Sequence, residues 1–308
     1  MTMAPRIVDL GLGRKLIDLD FRDTEGLVAS YLLPEPEGWA MVETGPTSCR
    51  EALVRGVSAA GVEPAEIRDI FVTHIHLDHA GGLGAIAERF PNARLHAHEL
   101  GIPHLADPSR LIASARRVWG EACDRLWGQV VPAPASRLRP LRGGESMPLR
   151  DGELQVLATP GHAKHHVSFF DTGLRAVLAG DSAGVRLERS ARIRPAVPPP
   201  DLDLDQLFGS LERMRRTEPR LLLLSHFGAT PHGAEDLAVY RTVVERWRDV
   251  ALAAARERPD ASFIAARLAE ADPPEPKDLS SMVSDYEVAA QGLLRYFQTH
   301  GELPKAST

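Results

Sequence analysis

The stretch from residue 71 to residue 82, FVTHIHLDHAGG, constrains the fold of this chain more than any other. Within six positions it carries three histidines and an aspartate: His74, His76, Asp78 and His79. The apolar residues 70–73 predict a buried strand before it, and the glycines at its end open a helical pattern over residues 83–90. The four side chains are therefore expected on a strand-to-helix loop, where they can converge.

The residue types in this loop indicate metal binding. Neutral imidazoles and a carboxylate are ligands suited to zinc, iron or manganese. In an extended turn His74 and His76 can point the same way, while Asp78 and His79 are displaced toward a second point. This pattern favours two adjacent metal ions over one. The alternative, a solvated histidine-rich loop, is the weaker interpretation because so dense a motif rarely arises by chance.

Three later strands also end in a ligand-type residue. The apolar runs 154–158, 175–179 and 221–224 lead to His162, Asp181 and His226, respectively. Strands that are apolar almost throughout are typical of sheets buried on both faces. The sequence therefore predicts an α/β fold, a four-layer αββα sandwich with a metal site along one edge.

The motif His74-x-His76-x-Asp78-His79, followed by Ala-Gly-Gly, resembles the signature of the metallo-β-lactamase superfamily. It is most similar to the glyoxalase II-like hydrolases, and the resemblance runs from about residue 20 to about residue 230. It implies a first metal held by His74, His76 and His162, a second held by Asp78, His79 and His226, and Asp181 as a bridge. The implied cofactors are two divalent ions, zinc above all, with iron or manganese as alternatives.

The resemblance also implies a reaction. A hydroxide bound at the dinuclear site would cleave a small thioester, ester or lactone, with Asp78 as both ligand and proton acceptor. The main alternatives are a mononuclear-iron, persulfide dioxygenase-like oxidoreductase and a phosphodiesterase, which the acidic charge disfavours. A flavin-dependent diiron reductase is disfavoured because His76 stands where those proteins carry glutamate. A non-enzymatic scaffold is disfavoured because all seven ligand positions are filled.

Three residues near the motifs need separate interpretation. Glu43 stands where the superfamily usually has an aspartate that braces the ligands. Its longer side chain either acts as such a brace or has a different role, and in both cases we interpret Glu43 as structural. His166 matches a second histidine that is common in glyoxalase II-like proteins. His165 stands where those proteins usually have glycine. For His165 we favour a partly exposed position at a helix start over a position facing the pocket.

The chain is expected to divide into a catalytic domain, residues 1–231, and a C-terminal helical extension, residues 232–308, which serves packing or a homodimer contact. Residues of about 99–148 are expected to form a helical lid over the site, although ordinary helical packing has equal weight. Its arginines (Arg110, Arg116, Arg117) would meet a substrate anion or form a solvated face. The prolines in 195–200 would form a stiff pocket wall or a linker, and those in 273–276 a break.

Composition limits the partners and the location. The 308 residues are 44% hydrophobic and 25% charged, with a net charge of −6. This charge gives no electrostatic footprint for nucleic acid or an anionic membrane. The first residues lack the pattern of a signal peptide, and no apolar run is long enough for a membrane span. Cys49 and Cys123 form no disulfide framework. We therefore expect a cytoplasmic protein that acts on a small molecule.

Overall fold

The computed structural model describes residues 5–187, 192–272 and 285–303. The proline break predicted at residues 273–276 lies outside them. The first of two β-sheets has seven strands in chain order: β1 (Ile7–Gly11), β2 (Arg14–Asp18), β3 (Ala29–Glu35), β4 (Gly38–Val42), β5 (Ile67–Phe71), β6 (Arg94–His98) and β7 (Leu138–Leu141). It is antiparallel from β1 to β4 and parallel from β4 to β7.

The second sheet has six strands: β8 (Ser146–Leu149), β9 (Gly152–Ala158), β10 (Val167–Asp171), β11 (Ala176–Leu178), β12 (Leu221–Leu224) and β13 (Gly228–Thr230). Their spatial order is β13-β12-β11-β10-β9-β8, and the β11–β12 pair is parallel. Because β5, β9, β11 and β12 all end toward one edge of the molecule, the residues that follow them can meet there.

Helices cover both sheets. The first sheet is covered by α1 (Arg50–Ala59), α2 (Leu77–Ala80), α3 (Leu83–Ala87), α4 (Ile102–Ala106), α5 (Ser109–Trp119) and α6 (Cys123–Trp127). The second is covered by α7 (Leu204–Arg215), α8 (Gly233–Glu257), α9 (Ala261–Ala271) and α10 (Tyr286–Thr299). A third apolar core, which includes Tyr31, Phe71 and Phe169, lies between the sheets. The predicted αββα sandwich with a helical C-terminal segment is confirmed.

The predicted insertion at about 99–148 needs a correction. Its first part is helical and forms α4, α5 and α6, but its second part contributes β7 to the first sheet and β8 to the second. Both strands have four residues, and each contains a proline, Pro140 or Pro148. Proline is tolerated in strands at a sheet edge, where one side of the backbone needs no partner. These short edge strands gave too weak a pattern to be recognised in the sequence.

A buried ion pair connects the two sheets. Arg14, on β2, donates from Nε to Oδ2 of Asp171 over 2.8 Å, and from Nη2 to Oδ1 over 3.2 Å. Asp171 is at the end of β10, and both side chains have no exposed surface. Tyr31 adds a second link by donating its hydroxyl to the carbonyl of Leu224. The position of one sheet on the other is thus fixed by polar contacts as well as by apolar packing. Among the described helices, none has the length and apolar character needed to cross a membrane.

Candidate metal centre

All seven residues predicted as metal ligands lie at one edge of the sandwich. His74 and His76 follow β5, and α2 carries Asp78 and His79. The other three, His162, Asp181 and His226, follow β9, β11 and β12 of the second sheet. The site therefore lies across the boundary between the sheets and takes side chains from both.

The first cluster consists of His74, His76 and His162. His162 Nε2 lies 3.2 Å from His74 Nε2 and 3.0 Å from His76 Nδ1. The distance between His74 Nε2 and His76 Nδ1 is 2.9 Å. One nitrogen of each ring thus faces the same small space, as required of ligands to one ion.

The second cluster consists of Asp78, His79 and His226. His226 Nε2 lies 3.2 Å from His79 Nε2 and 3.3 Å from Asp78 Oδ2. The distance between His79 Nε2 and Asp78 Oδ2 is 3.9 Å. These three side chains also offer their donor atoms to a common space.

Asp181 lies between the two clusters. Its Oδ1 is 3.3 Å from His79 Nε2 and 3.8 Å from His226 Nε2, whereas its Oδ2 is 3.5 Å from His162 Nε2. Each carboxylate oxygen therefore faces a different cluster. Oδ1 is enclosed and accepts no hydrogen bond from the described residues. The geometry suits the bridging position assigned to Asp181 from the sequence.

The outer ring nitrogens show which form each histidine takes. His162 Nδ1 lies 2.9 Å from the carbonyl oxygen of Ala196, and His226 Nδ1 lies 2.8 Å from that of Leu27. Because a carbonyl only accepts, both Nδ1 atoms carry a proton in these bonds, and in the neutral ring Nε2 has a free lone pair. A partner of this kind behind the ring is typical of metal-binding histidines.

The lone pairs of the second cluster make the metal interpretation specific. His79 Nδ1 lies 3.1 Å from the carboxylate of Glu43, so its Nε2 is also unprotonated in the neutral ring. His79 Nε2 and His226 Nε2 then present lone pairs to each other across 3.2 Å. Two lone pairs at this distance repel unless a metal ion or a shared proton lies between them. The nitrogen and oxygen donors fit a divalent ion such as zinc.

Buried charge leads to the same conclusion. Burial by itself favours a neutral His79, but the carboxylates of Asp181, Asp78 and Glu43 raise the pKa of His79 well above its ordinary value. In the first cluster, burial and the neighbouring imidazoles lower the pKa of His74 well below its ordinary value. The first cluster is therefore composed of neutral donors, while the second is surrounded by negative charge that a cation would neutralise.

Glu43 braces the ligands from behind. Its Oε1 accepts a hydrogen bond from Thr73 Oγ1 over 2.6 Å, from Ser225 Oγ over 3.1 Å and from His79. The residue is buried, and its φ of 72° is in the left-handed region that side chains other than glycine rarely adopt. Thr73 Oγ1 in turn lies 3.0 Å from His74 Nδ1. One carboxylate thus contacts His79 directly and His74 through Thr73, which favours the brace among the two options left open for Glu43.

We predict that Glu43→Gln weakens metal binding about 10- to 100-fold, the usual effect of losing a group that orients a ligand. The amide keeps the length of the side chain but removes its charge and turns one acceptor into a donor. Competition with a chromophoric chelator would measure the affinity. Glu51→Gln, at an exposed position on α1, is the control. Unchanged affinity in Glu43→Gln would show that the brace has no influence on the ligands.

His166 and His165 have different positions from each other. His166 is buried, with Nδ1 at 2.9 Å from Thr159 Oγ1, and its Nε2 accepts the backbone N–H of Asp181. It therefore supports the loop that carries Asp181. His165 is only 6% exposed and lines a cavity beside the clusters, so the prediction of a partly exposed position is wrong. The predicted helix start is absent as well, because residues 159–166 form a loop between β9 and β10.

The clusters open into a cavity of about 370 Å³. His76, Asp78, His162 and Asp181 form its base. Its walls come from three segments: α5, the proline-rich residues 195–200, and the first turn of α10. Most lining surface is apolar and includes Leu111, Val118, Trp119, Trp127, Val197 and Val288. The site therefore faces a space suited to a small molecule with an apolar part.

Some features of this cavity were predicted from the sequence, and others were not. The proline-rich stretch is a wall, one of the two predicted options. Of the three arginines predicted on the lid, Arg110 lines the cavity, whereas Arg116 pairs with Asp124 at the surface and Arg117 is exposed. The contribution of α10, through Asp285, Val288, Ala289 and Gln291, was not predicted. No motif marks it, because only the tertiary fold brings this helix to the site.

Comparison with known proteins identifies the family. A family model of the metallo-β-lactamase superfamily matches residues 23–226, more than half of the chain. The chain therefore belongs to this superfamily, as its motifs predict. The N-acyl homoserine lactonase AttM of Azorhizobium caulinodans is 44% identical over 43 residues, which are 14% of this chain and 15% of the lactonase. The match thus spans less than a sixth of the length of that protein.

Solved structures of similar fold align with most of the chain. A β-lactamase domain protein from Burkholderia ambifaria has a TM-score of 0.72 at 20% identity, over 99% of this chain and 92% of its own. A metallo-β-lactamase superfamily protein from Sulfolobus tokodaii has a TM-score of 0.65 at 18% identity, over 87% of this chain and 93% of that protein. A metallo-β-lactamase family protein from Thermus thermophilus has a TM-score of 0.63 at 21% identity, over 97% of this chain and 93% of that protein. The similarity at these identities concerns the fold.

Proposed function

We propose that this protein is a binuclear metal-dependent hydrolase that cleaves a small lactone, ester or thioester. The observation that carries the proposal is the position of Asp181, whose two oxygens face two separate clusters of ligand-type side chains. His74, His76 and His162 would hold one ion, and Asp78, His79 and His226 the other. Membership of the metallo-β-lactamase superfamily supports a hydrolase, and the short match to a lactonase supports a lactone as one of the substrates to test.

Metal ions bound at the two clusters would supply Lewis acidity and would lower the pKa of a water molecule toward neutrality. The side chains of the protein would position the substrate and accept a proton. Asp78 lines the cavity, and its side chain is 22% exposed, so this carboxylate can reach both the second cluster and a reacting water. The interactions with His79 and His226 outweigh burial and lower the pKa of Asp78, which keeps it ionised as a proton acceptor.

The cavity walls indicate what kind of substrate would fit. Trp119 and Trp127 lie with ring centroids 5.5 Å apart, and with Leu111 and Val118 they form an apolar surface along α5 and α6. Away from the clusters the lining carries both signs of charge, because Arg110 and Lys164 are accompanied by Asp201 and Asp285, and Lys164 pairs with Asp201. A small neutral acyl compound with an apolar chain matches this surface better than a polycation or a long polymer.

Metal analysis combined with a substrate panel tests the proposal. Elemental analysis of purified protein should give about two divalent ions per chain. The panel consists of N-hexanoyl homoserine lactone, para-nitrophenyl hexanoate, the hexanoyl thioester of N-acetylcysteamine and bis(para-nitrophenyl) phosphate. Turnover of at least one of the first three, lost on chelation and restored by zinc, is the expected result. A single iron per chain, with no hydrolysis, would instead support the oxygen-dependent oxidoreductase.

The wall on α5 should determine substrate preference. We predict that Val118→Ala raises KM about three- to tenfold for hexanoyl substrates, because apolar contact is lost, while kcat and metal content stay the same. The matched control is Val239→Ala on α8, because the two valines are 52% and 51% exposed. Equal KM values for both variants and the wild type would show that Val118 does not contact the substrate.

A further inference from the structure

His165 is the one buried histidine near the clusters whose chemistry is still unexplained. It lies on the loop between β9 and β10, three residues after His162. Its ring centroid is 6.0 Å from that of His76 and 6.3 Å from that of His74, compared with 4.5 Å between His74 and His76. His165 thus lies beside the first cluster but outside the groups whose donor atoms share a common space.

No hydrogen bond joins His165 to any of the residues that the structure describes, and its Nδ1 is fully enclosed. A buried imidazole without a partner is costly, since a polar group loses its contact with water and gains nothing in return. The ring also lines the cavity. Of the two ring nitrogens only Nε2 is not enclosed, so a molecule in the cavity would be a partner for Nε2.

The position of the proton follows from the surroundings of the ring. Burial disfavours the charged form of an imidazole, and His165 is only 6% exposed. A neutral imidazole has one N–H and one lone pair. An enclosed N–H without an acceptor is rarer in proteins than an enclosed acceptor without a donor. The proton is accordingly assigned to Nε2, which is the nitrogen left open to the cavity.

We propose that His165 is a further catalytic residue, which donates its Nε2–H to the carbonyl oxygen of the scissile bond as that oxygen gains negative charge. The inference rests on the proposed hydrolase function. A donor that is already in place and shielded from water stabilises such a charge strongly.

The chemical step balances with water as the second reactant. The water oxygen forms a bond to the carbonyl carbon, the π pair of the C=O bond moves to the carbonyl oxygen, and one water proton passes to Asp78. His165 keeps its proton and hydrogen-bonds to the oxyanion. When the adduct collapses, the electron pair on the oxyanion re-forms the C=O bond, and the bond between the carbonyl carbon and the leaving oxygen or sulfur breaks. The proton on Asp78 then passes to the leaving oxygen or sulfur.

The test compares His165→Leu and His165→Gln with the wild type on the three acyl substrates named above. Leucine fills the space but cannot donate, so kcat should fall roughly 10- to 100-fold, the usual contribution of a hydrogen bond to a charged group. KM and metal content should not change, and the melting temperature should not fall, because leucine removes a buried polar atom that has no partner. Glutamine retains an N–H and should recover part of kcat. His232→Leu, at an exposed histidine away from the cavity, is the control.

Binding of hexylphosphonate, measured by calorimetry, gives a readout that does not need turnover. Its tetrahedral anionic head resembles the adduct, so His165→Leu should weaken its binding by about the same factor as kcat. Wild-type kcat and phosphonate affinity in His165→Leu would overturn the inference and leave the hydrolase function intact. Loss of metal in that variant would also overturn it, by making His165 a ligand or a support. Absence of turnover in the wild type, with phosphonate binding still dependent on His165, would reject the hydrolase function alone.

Discussion

Asp181→Ala should reduce kcat/KM roughly a thousandfold or more on any substrate that the wild-type protein hydrolyses. Two cations held close together repel, and the carboxylate of Asp181 is the only side chain among the seven whose oxygens face both clusters. Its loss should also reduce the number of bound ions from about two per chain. Steady-state kinetics and elemental analysis of the same preparation would measure both effects.

The fold should survive this change. Asp181 follows β11 on a short 3-10 turn and does not contribute to the apolar cores, so the circular dichroism spectrum should match that of the wild type. Asp124→Ala removes a carboxylate from an exposed ion pair and is the matched control. Full activity in Asp181→Ala, with two ions still bound, would mean that the bridge is assigned to the wrong residue.

Arg14→Leu should lower the free energy of unfolding by about 3–5 kcal/mol, the usual result of breaking a buried ion pair from one side. Asp171 would keep a buried charge without its main partner. Arg14 also donates to the carbonyl oxygens of Leu12 and Asp151, so three segments lose contacts. Urea denaturation monitored by tryptophan fluorescence would measure the change.

Two further variants separate the buried pair from a general effect of losing an arginine. Arg116→Leu breaks an exposed ion pair and should cost less than about 1 kcal/mol. The double variant Arg14→Leu/Asp171→Leu removes both charges and should recover part of the stability, because no isolated charge remains. A double variant no more stable than Arg14→Leu would show that the loss arises from packing.

The seven candidate ligands could be selected from the sequence because they follow short, strongly apolar strands. His162, Asp181 and His226 are far apart in the chain, yet each stands within four residues of the end of such a strand, and the topology brings these ends together. The sandwich could be predicted for the same reason. A chain with these strands has to bury both of their faces.

Residues whose roles depend on tertiary contacts were harder to predict. For Glu43 the sequence indicated a structural role, with a brace as one of two options. Its three donors come from the chain near residues 73, 79 and 225, which no local pattern connects. His165 was misplaced because the neighbouring residues suggested a helix start, whereas the loop turns the ring inward. The first turn of α10 reaches the cavity only because the C-terminal helices pack on the second sheet.

The division of each cluster between the two sheets links metal supply to the integrity of the sandwich. His74 and His76 come from the first sheet and His162 from the second, and the other cluster is divided in the same way. An ion bound by residues of both sheets would hold the sheets together. At a free concentration of one hundred times its dissociation constant, the ion would add about 2.7 kcal/mol to the free energy of unfolding. The melting temperature would then rise with the concentration of free zinc. Chelation should first weaken the contact between the two sheets at the metal edge, while the contact at the Arg14–Asp171 ion pair remains.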